Sequence, residues 1–78
     1  MDLIDRFLKY SLERGVKISA VLIDEGAIRK TNLQVVSIDE DGLGFCARFS
    51  GRKKDVHLPV DCLLTCAYAR GDRGELEN

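Results

Sequence analysis

The chain has no tryptophan, one proline, one histidine and three cysteines. Its charges nearly cancel, with 12 basic residues against 13 acidic ones and a formal net charge of −1. Each scarcity excludes something. The charge balance excludes a generally basic nucleic-acid binder, so any such contact must come from a local patch or from a patch repeated in an oligomer. Three cysteines cannot build the dense disulfide framework of small secreted domains. Cys46, Cys62 and Cys66 are odd in number and contain no C-x-x-C pair. Four residues apart on a strand, Cys62 and Cys66 would lie about 13 Å from each other, too far for a disulfide or a shared metal. All three read as small buried hydrophobes in a reducing compartment. One histidine, with no serine or cysteine set beside a credible base, leaves no nucleophilic or acid–base constellation. Gly42-Leu43-Gly44 sits in a hairpin and not ahead of a helix, so it does not cradle phosphate. Asp39-Glu40-Asp41 is too short a ligand run for a calcium loop. No catalytic residue, cofactor or metal is expected.

Long hydrophobic runs are also missing. The longest, Val16 to Ile23, contains Lys17 and Ser19 and falls far short of the about 20 apolar residues that a membrane span needs. The chain opens Met1-Asp2-Leu3-Ile4-Asp5, with acids where an export signal carries basic residues. The expectation is a cytoplasmic protein with no membrane segment.

What is present fits one small domain. A chain of 78 residues buries only roughly 60–65% of its unfolded surface. The missing stability must come from unusually good packing, a metal or a partner chain. Ile4, Phe7, Leu8, Ser11 and Leu12 recur at helical spacing and make one apolar stripe. Asp5, Arg6, Lys9 and Glu13 take the opposite face, and Gly15 stands as the C-cap. This predicts a helix over about 2–14. From Val16 the period changes to that of strands: 16–23, apolar on both faces towards its end and so expected to be buried on both sides, then 32–38, 43–49, 55–58 and 62–69. The breaks are Asp24-Glu25-Gly26, Asp39 to Gly42 with Gly42 placed for positive φ, Ser50 to Lys53, and Pro59-Val60-Asp61. Leu33 and Val35 are expected on one face of the second strand, with Val36 and Ile38 on the other. Leu43, Phe45, Ala47 and Phe49 are expected to share a face of the third. The last stretch, 71–78, has a single apolar residue, Leu76, and is expected to be a flexible tail.

The fold class is therefore mainly β: an N-terminal helix, then five short antiparallel strands that can curl into a strongly bent barrel over about 16–70. The fourth and fifth strands are short, apolar and little charged, as are edges that pair with another chain. Val56, Leu58, Cys62, Leu64, Cys66 and Tyr68 are the candidate interface residues.

Four stretches, in this order and spacing, resemble the Sm-like fold, and specifically the bacterial Hfq-like branch. Asp5-Arg6-Phe7-Leu8-Lys9 followed by Glu13-Arg14-Gly15-Val16 is similar to the family's N-terminal helix. Ala20 to Gly26 resembles its first strand and turn, and Gln34 to Asp39 its second strand ending in an aspartate. Pro59 to Leu64, then Ala69-Arg70, resembles its short helical turn and last strand. The resemblance spans about 5–70. It implies a single Sm-like domain over 1–70, an SH3-like barrel, and a homo-oligomeric ring, usually a hexamer, in which the fourth strand of one subunit pairs with the fifth of the next. It also implies RNA binding on the ring faces, as an RNA chaperone or post-transcriptional regulator. The family's uridine-pocket residues are largely replaced here: Ile4 stands at the helix glutamine, Glu40 to Leu43 at the glutamine–phenylalanine pair, and the fourth-strand tyrosine–lysine–histidine motif falls at His57-Leu58-Pro59 or, with the gap moved, at Asp55-Val56-His57, where His57 alone matches.

Arg48-Phe49-Ser50-Gly51-Arg52-Lys53-Lys54 is the strongest charged feature, with four basic residues and one aromatic around a hairpin. Repeated around a ring it would hold phosphate backbones without base specificity. Arg29-Lys30 is a smaller second patch. The candidate RNA-binding residues are therefore Arg29, Lys30, Arg52, Lys53, Lys54 and His57. The other reading is an Sm-like oligomeric protein-interaction scaffold that has lost RNA binding, suggested by the net negative charge and the replaced pocket residues.

Overall fold

A computed structural model describes residues 3–69. The expected tail at 71–78 lies outside the described residues. The elements run α1 (Leu3–Arg14), β1 (Ile18–Asp24), β2 (Ala27–Ile38), β3 (Gly44–Phe49), β4 (Asp55–Pro59), a 3-10 turn (Val60–Cys62) and β5 (Leu63–Tyr68). The fold is mainly β, a helix followed by one five-stranded antiparallel sheet in the order β4-β3-β2-β1-β5. β4 and β5 do not pair with each other, so the sheet keeps two edges.

The long strand β2 organises this sheet. It pairs with β1 through residues 27–33 and with β3 mainly through 33–38. One strand thus serves two half-sheets that meet near Leu33. The register slips between Val35 and Ser37, leaving Val36 as a bulge. A bulge adds one residue and bends its strand. It also resets the side-chain alternation, which is why Ile38 returns to the core side opposite Phe45 rather than sharing the far face with Val36.

Other differences from the sequence reading have equally local causes. β2 begins at Ala27 and not at Asn32, because Glu25 and Gly26 make a two-residue hairpin with φ of 51° and 80°. Both positive values are what a type I′ turn requires. Arg29 and Lys30 therefore lie inside a ladder. β1 is buried on one face only: Ile18, Ala20 and Leu22 are in the core, whereas Ile23 is exposed. Leu43 belongs to the β2–β3 turn and is exposed. Cys62 closes the 3-10 turn instead of opening β5.

The core gathers Leu8 from α1, Ile18, Ala20 and Leu22 from β1, Leu33 and Val35 from β2, Phe45 and Ala47 from β3, and Leu63 and Cys66 from β5. Burying each large side chain contributes roughly 1.5–3 kcal/mol. α1 docks on β2 and β5 through its apolar stripe. Its one buried polar residue, Ser11, ties the docking together. The Ser11 hydroxyl accepts the Val35 N–H at 2.8 Å and donates to the Val16 carbonyl at 2.6 Å. Val35 stands immediately before the bulge, so a side chain supplies the partner at the point where the ladder is interrupted. Gly15, at φ 66°, ends α1 with its N–H on the Ser11 carbonyl, as expected of the C-cap.

Candidate nucleic-acid interface

The six residues singled out for RNA divide between the two sides of the sheet, because successive strand residues face opposite ways. Arg29 pairs in register with the buried Leu22, whereas Lys30 pairs with Val21 on the outer face. Val56 and Leu58 lie opposite Ala47 and Phe45, whereas His57 lies opposite Cys46 on the outer face. Lys30 and His57 therefore share a face but sit on β2 and β4, which are not neighbours.

On the other side the bent sheet brings two hairpins together. The tip of β1–β2 and the β3–β4 hairpin enclose a cleft of about 360 Å³. Its floor is Leu22, Phe49, Val56 and Leu58, and Arg29 and Arg52 enter it from different hairpins. These two arginines are 23 positions apart in the chain (52 − 29) and converge only through the bend. Of the floor, Leu22 is buried, Phe49 and Leu58 are half-buried and Val56 is exposed; two planar guanidinium groups beside it can hold a phosphate. Asp24 and Glu25 line the same cleft, and Asp24 forms an ion pair with Arg29 at 2.5 Å. Arg52 has no ion pair among the described residues.

The turn at 50–54 is exposed throughout. Lys53 and Lys54 also lack ion pairs among the described residues. Arg48 does not join them, since its Nε donates to Asp55 at 2.9 Å across β3–β4. Lys17 does, because its Nζ donates to the Ser50 hydroxyl at 3.2 Å. No signal in the sequence pointed to Lys17, which is 33 residues away and reaches the turn only because the half-sheets meet there.

His57 has a defined partner. Its Nε2 lies 2.7 Å from Asp39 Oδ2, bridging β4 to the end of β2. Gly44 makes this contact possible: a Cβ there would stand 2.5 Å from that carboxylate oxygen and 2.9 Å from the imidazole Nε2. The pair is exposed on both sides, which limits its worth to about 0–1 kcal/mol. Among the described residues, no three histidine, cysteine, aspartate or glutamate side chains are grouped as a metal ion requires.

The candidate interface residues also separate. Cys66 faces Ala20 in the protein's own core. Leu58 and Cys62 are half-buried against that core. Val56, Leu64 and Tyr68 remain exposed at 41%, 46% and 37%, the first on edge strand β4 and the other two on edge strand β5. Burial, and after it the charge of Asp24, push the Cys62 thiol up, which lowers its thiolate fraction. No helix among the described residues is long and apolar enough to cross a membrane. Comparison with protein-family models, with curated proteins and with solved structures gives no match.

Proposed function

We propose that this chain is a non-catalytic RNA-binding protein that assembles, in the manner of Sm-like and Hfq-like proteins, into a homo-oligomeric ring of SH3-like barrels. The observation that carries the RNA reading is that Arg29 and Arg52 line one cleft with an apolar floor, with Lys53 and Lys54 following Arg52 and without ion pairs among the described residues. A single copy offers few phosphate contacts; a ring multiplies them, and each neutralised phosphate steepens the salt dependence of binding. Two free edges in one sheet support the ring. β4 and β5 each present unpaired backbone groups, with Val56 on one and Leu64 and Tyr68 on the other. An edge left open in this way is a template for another chain, and head-to-tail pairing closes into a ring when the rotation permits.

The experiment is a native mass measurement with the ultraviolet absorbance ratio, followed by RNA titration at several salt concentrations. The expected result is a multimer whose RNA affinity falls steeply with salt. The slope should flatten when Arg52, Lys53 and Lys54 are replaced by alanine. A monomer at micromolar concentration refutes the ring, and no RNA binding at low salt refutes the RNA reading. The second reading, a protein-interaction scaffold, is favoured by Asp24 and Glu25, whose carboxylates share the cleft with the arginines and repel phosphate. A nuclease-insensitive complex with one protein partner would select it.

A further inference from the structure

In a cleft that holds phosphate, the two carboxylates are the groups left without a use. They are not equivalent. Asp24 is engaged by the Arg29 guanidinium at 2.5 Å. Glu25 lines the same cleft and has no ion pair among the described residues. Arg52, from the other hairpin, has none either. The cleft thus offers a ligand one unengaged carboxylate and one unengaged guanidinium, 27 positions apart in the chain (52 − 25). Both sit on tight turns. Glu25 is held at φ 51° between β1 and β2. Arg52 follows Gly51, and its N–H donates to the Phe49 carbonyl at 3.0 Å. The same cleft is lined by the half-buried Phe49 and Leu58 and the exposed Val56.

We infer that this cleft takes a guanine of single-stranded RNA, with Glu25 accepting from the Watson–Crick edge of the base and Arg52 holding an adjacent phosphate. The inference rests on the RNA reading above and adds the base to it. An ionised carboxylate is an acceptor only, with two oxygens to satisfy. Guanine is the one base of the four that sets two donors side by side on this edge, N1–H and the 2-amino group. Adenine and cytosine place a ring-nitrogen acceptor beside their amino group. Uracil flanks its single N–H with two carbonyl oxygens. Each of these three turns a lone pair towards the carboxylate.

Bases of single strands are free to present this edge and to lay a flat face on a side chain, here Phe49 and Val56. The phosphate falls to Arg52, whose planar fork can bind it bidentately, because the charge of Arg29 is already met by Asp24. An RNA with another base at this point keeps the repulsion of Glu25 and gains no hydrogen bond from it. Glu25 is therefore a filter as well as a contact.

The test is fluorescence anisotropy of the full chain with labelled uridine heptamers that differ only in the central base. A central guanine should bind about tenfold tighter than uracil or adenine. Inosine keeps N1–H and lacks the 2-amino group, so it should bind about threefold more weakly than guanine. Glu25→Gln, at an exposed turn position, should bring guanine, uracil and adenine within about twofold of one another. Asp24→Asn should strengthen all the heptamers alike and leave their ratios. Arg52→Ala should weaken all of them and lower the salt slope by about one. Equal binding of guanine and inosine, or a guanine preference that survives Glu25→Gln or is erased by Asp24→Asn instead, overturns the inference; salt-dependent binding of every heptamer would still keep the RNA reading. No binding of any heptamer at low salt refutes the RNA reading and this inference together, and leaves the cleft to a protein segment. Guanosine monophosphate should displace the guanine heptamer only at more than about a 100-fold excess, and displacement at equal concentration overturns RNA as the source of the base.

Discussion

Ser11 offers a quantitative test of how the helix and the bent strand hold together. Replacement by alanine removes one oxygen atom and leaves no new contact to accommodate. Two hydrogen bonds go with it, the buried one from the Val35 N–H at 2.8 Å and the half-buried one to the Val16 carbonyl at 2.6 Å. The first loss dominates. The Val35 N–H stays buried under α1 beside the bulge, and an unsatisfied buried donor costs about 1–3 kcal/mol. Val16 is only half-buried, so its carbonyl finds water and the second loss adds about 0.5–1 kcal/mol. The expected total is about 1.5–4 kcal/mol, a large share of the roughly 5–15 kcal/mol available to a folded domain. In urea, where a small protein loses about 1–3 kcal/mol per molar, the unfolding midpoint should fall by at least about 0.5 M. The comparison must be made at one protein concentration, because assembly adds stability by mass action. Ser50→Ala serves as control. It removes an exposed acceptor of Lys17 and should stay within about 0.5 kcal/mol of the parent. A loss below about 0.5 kcal/mol for Ser11→Ala would refute the claim that this hydroxyl is the partner of the interrupted ladder.

Other expectations follow from single sites. Gly44→Ala places a Cβ against Asp39 and His57. Both are exposed side-chain ends that can swing aside, so the pair should separate and the His57 ring resonances shift while stability falls by less than about 1 kcal/mol. Glu25→Asn relieves a charged residue held at φ 51°, and a residue tolerant of that conformation should raise stability by about 0.5–1 kcal/mol in thermal unfolding. Cys62, its thiol raised by burial and by Asp24, should alkylate more slowly than a free thiol at about pH 8 in mass-spectrometric labelling, and the difference should shrink as the pH is raised further.

Elements whose signal is local could be read from the chain alone. The stripe Ile4, Phe7, Leu8, Ser11 ends at Gly15, and the helix runs Leu3–Arg14. Gly42 and Gly51 stand at positive φ in the turns where short polar breaks interrupt the strand pattern. That one helix and five strands follow in this order needed nothing beyond period and punctuation, because backbone sterics act over a few residues, whereas the start of β2, the places of Leu43 and Cys62 and the one-sided burial of β1 differ from that reading. β2 starts at Ala27 because of the local Glu25-Gly26 hairpin, whereas the Val36 bulge and the open sheet order were decided by pairing with distant strands. So were the candidate sites. Arg29 and Lys30 are adjacent in the chain but face opposite ways, Arg29 meets Arg52 across the bend, Lys17 reaches Ser50, and His57 finds Asp39 over Gly44. Cys66 turns into the core while Leu64 stays out, because β5 carries its own register shift against β1. The sequence by itself determined which residue types were available and which local elements they form. Which of them share a cleft depends on contacts between strands far apart in the chain, and only the tertiary structure decided that.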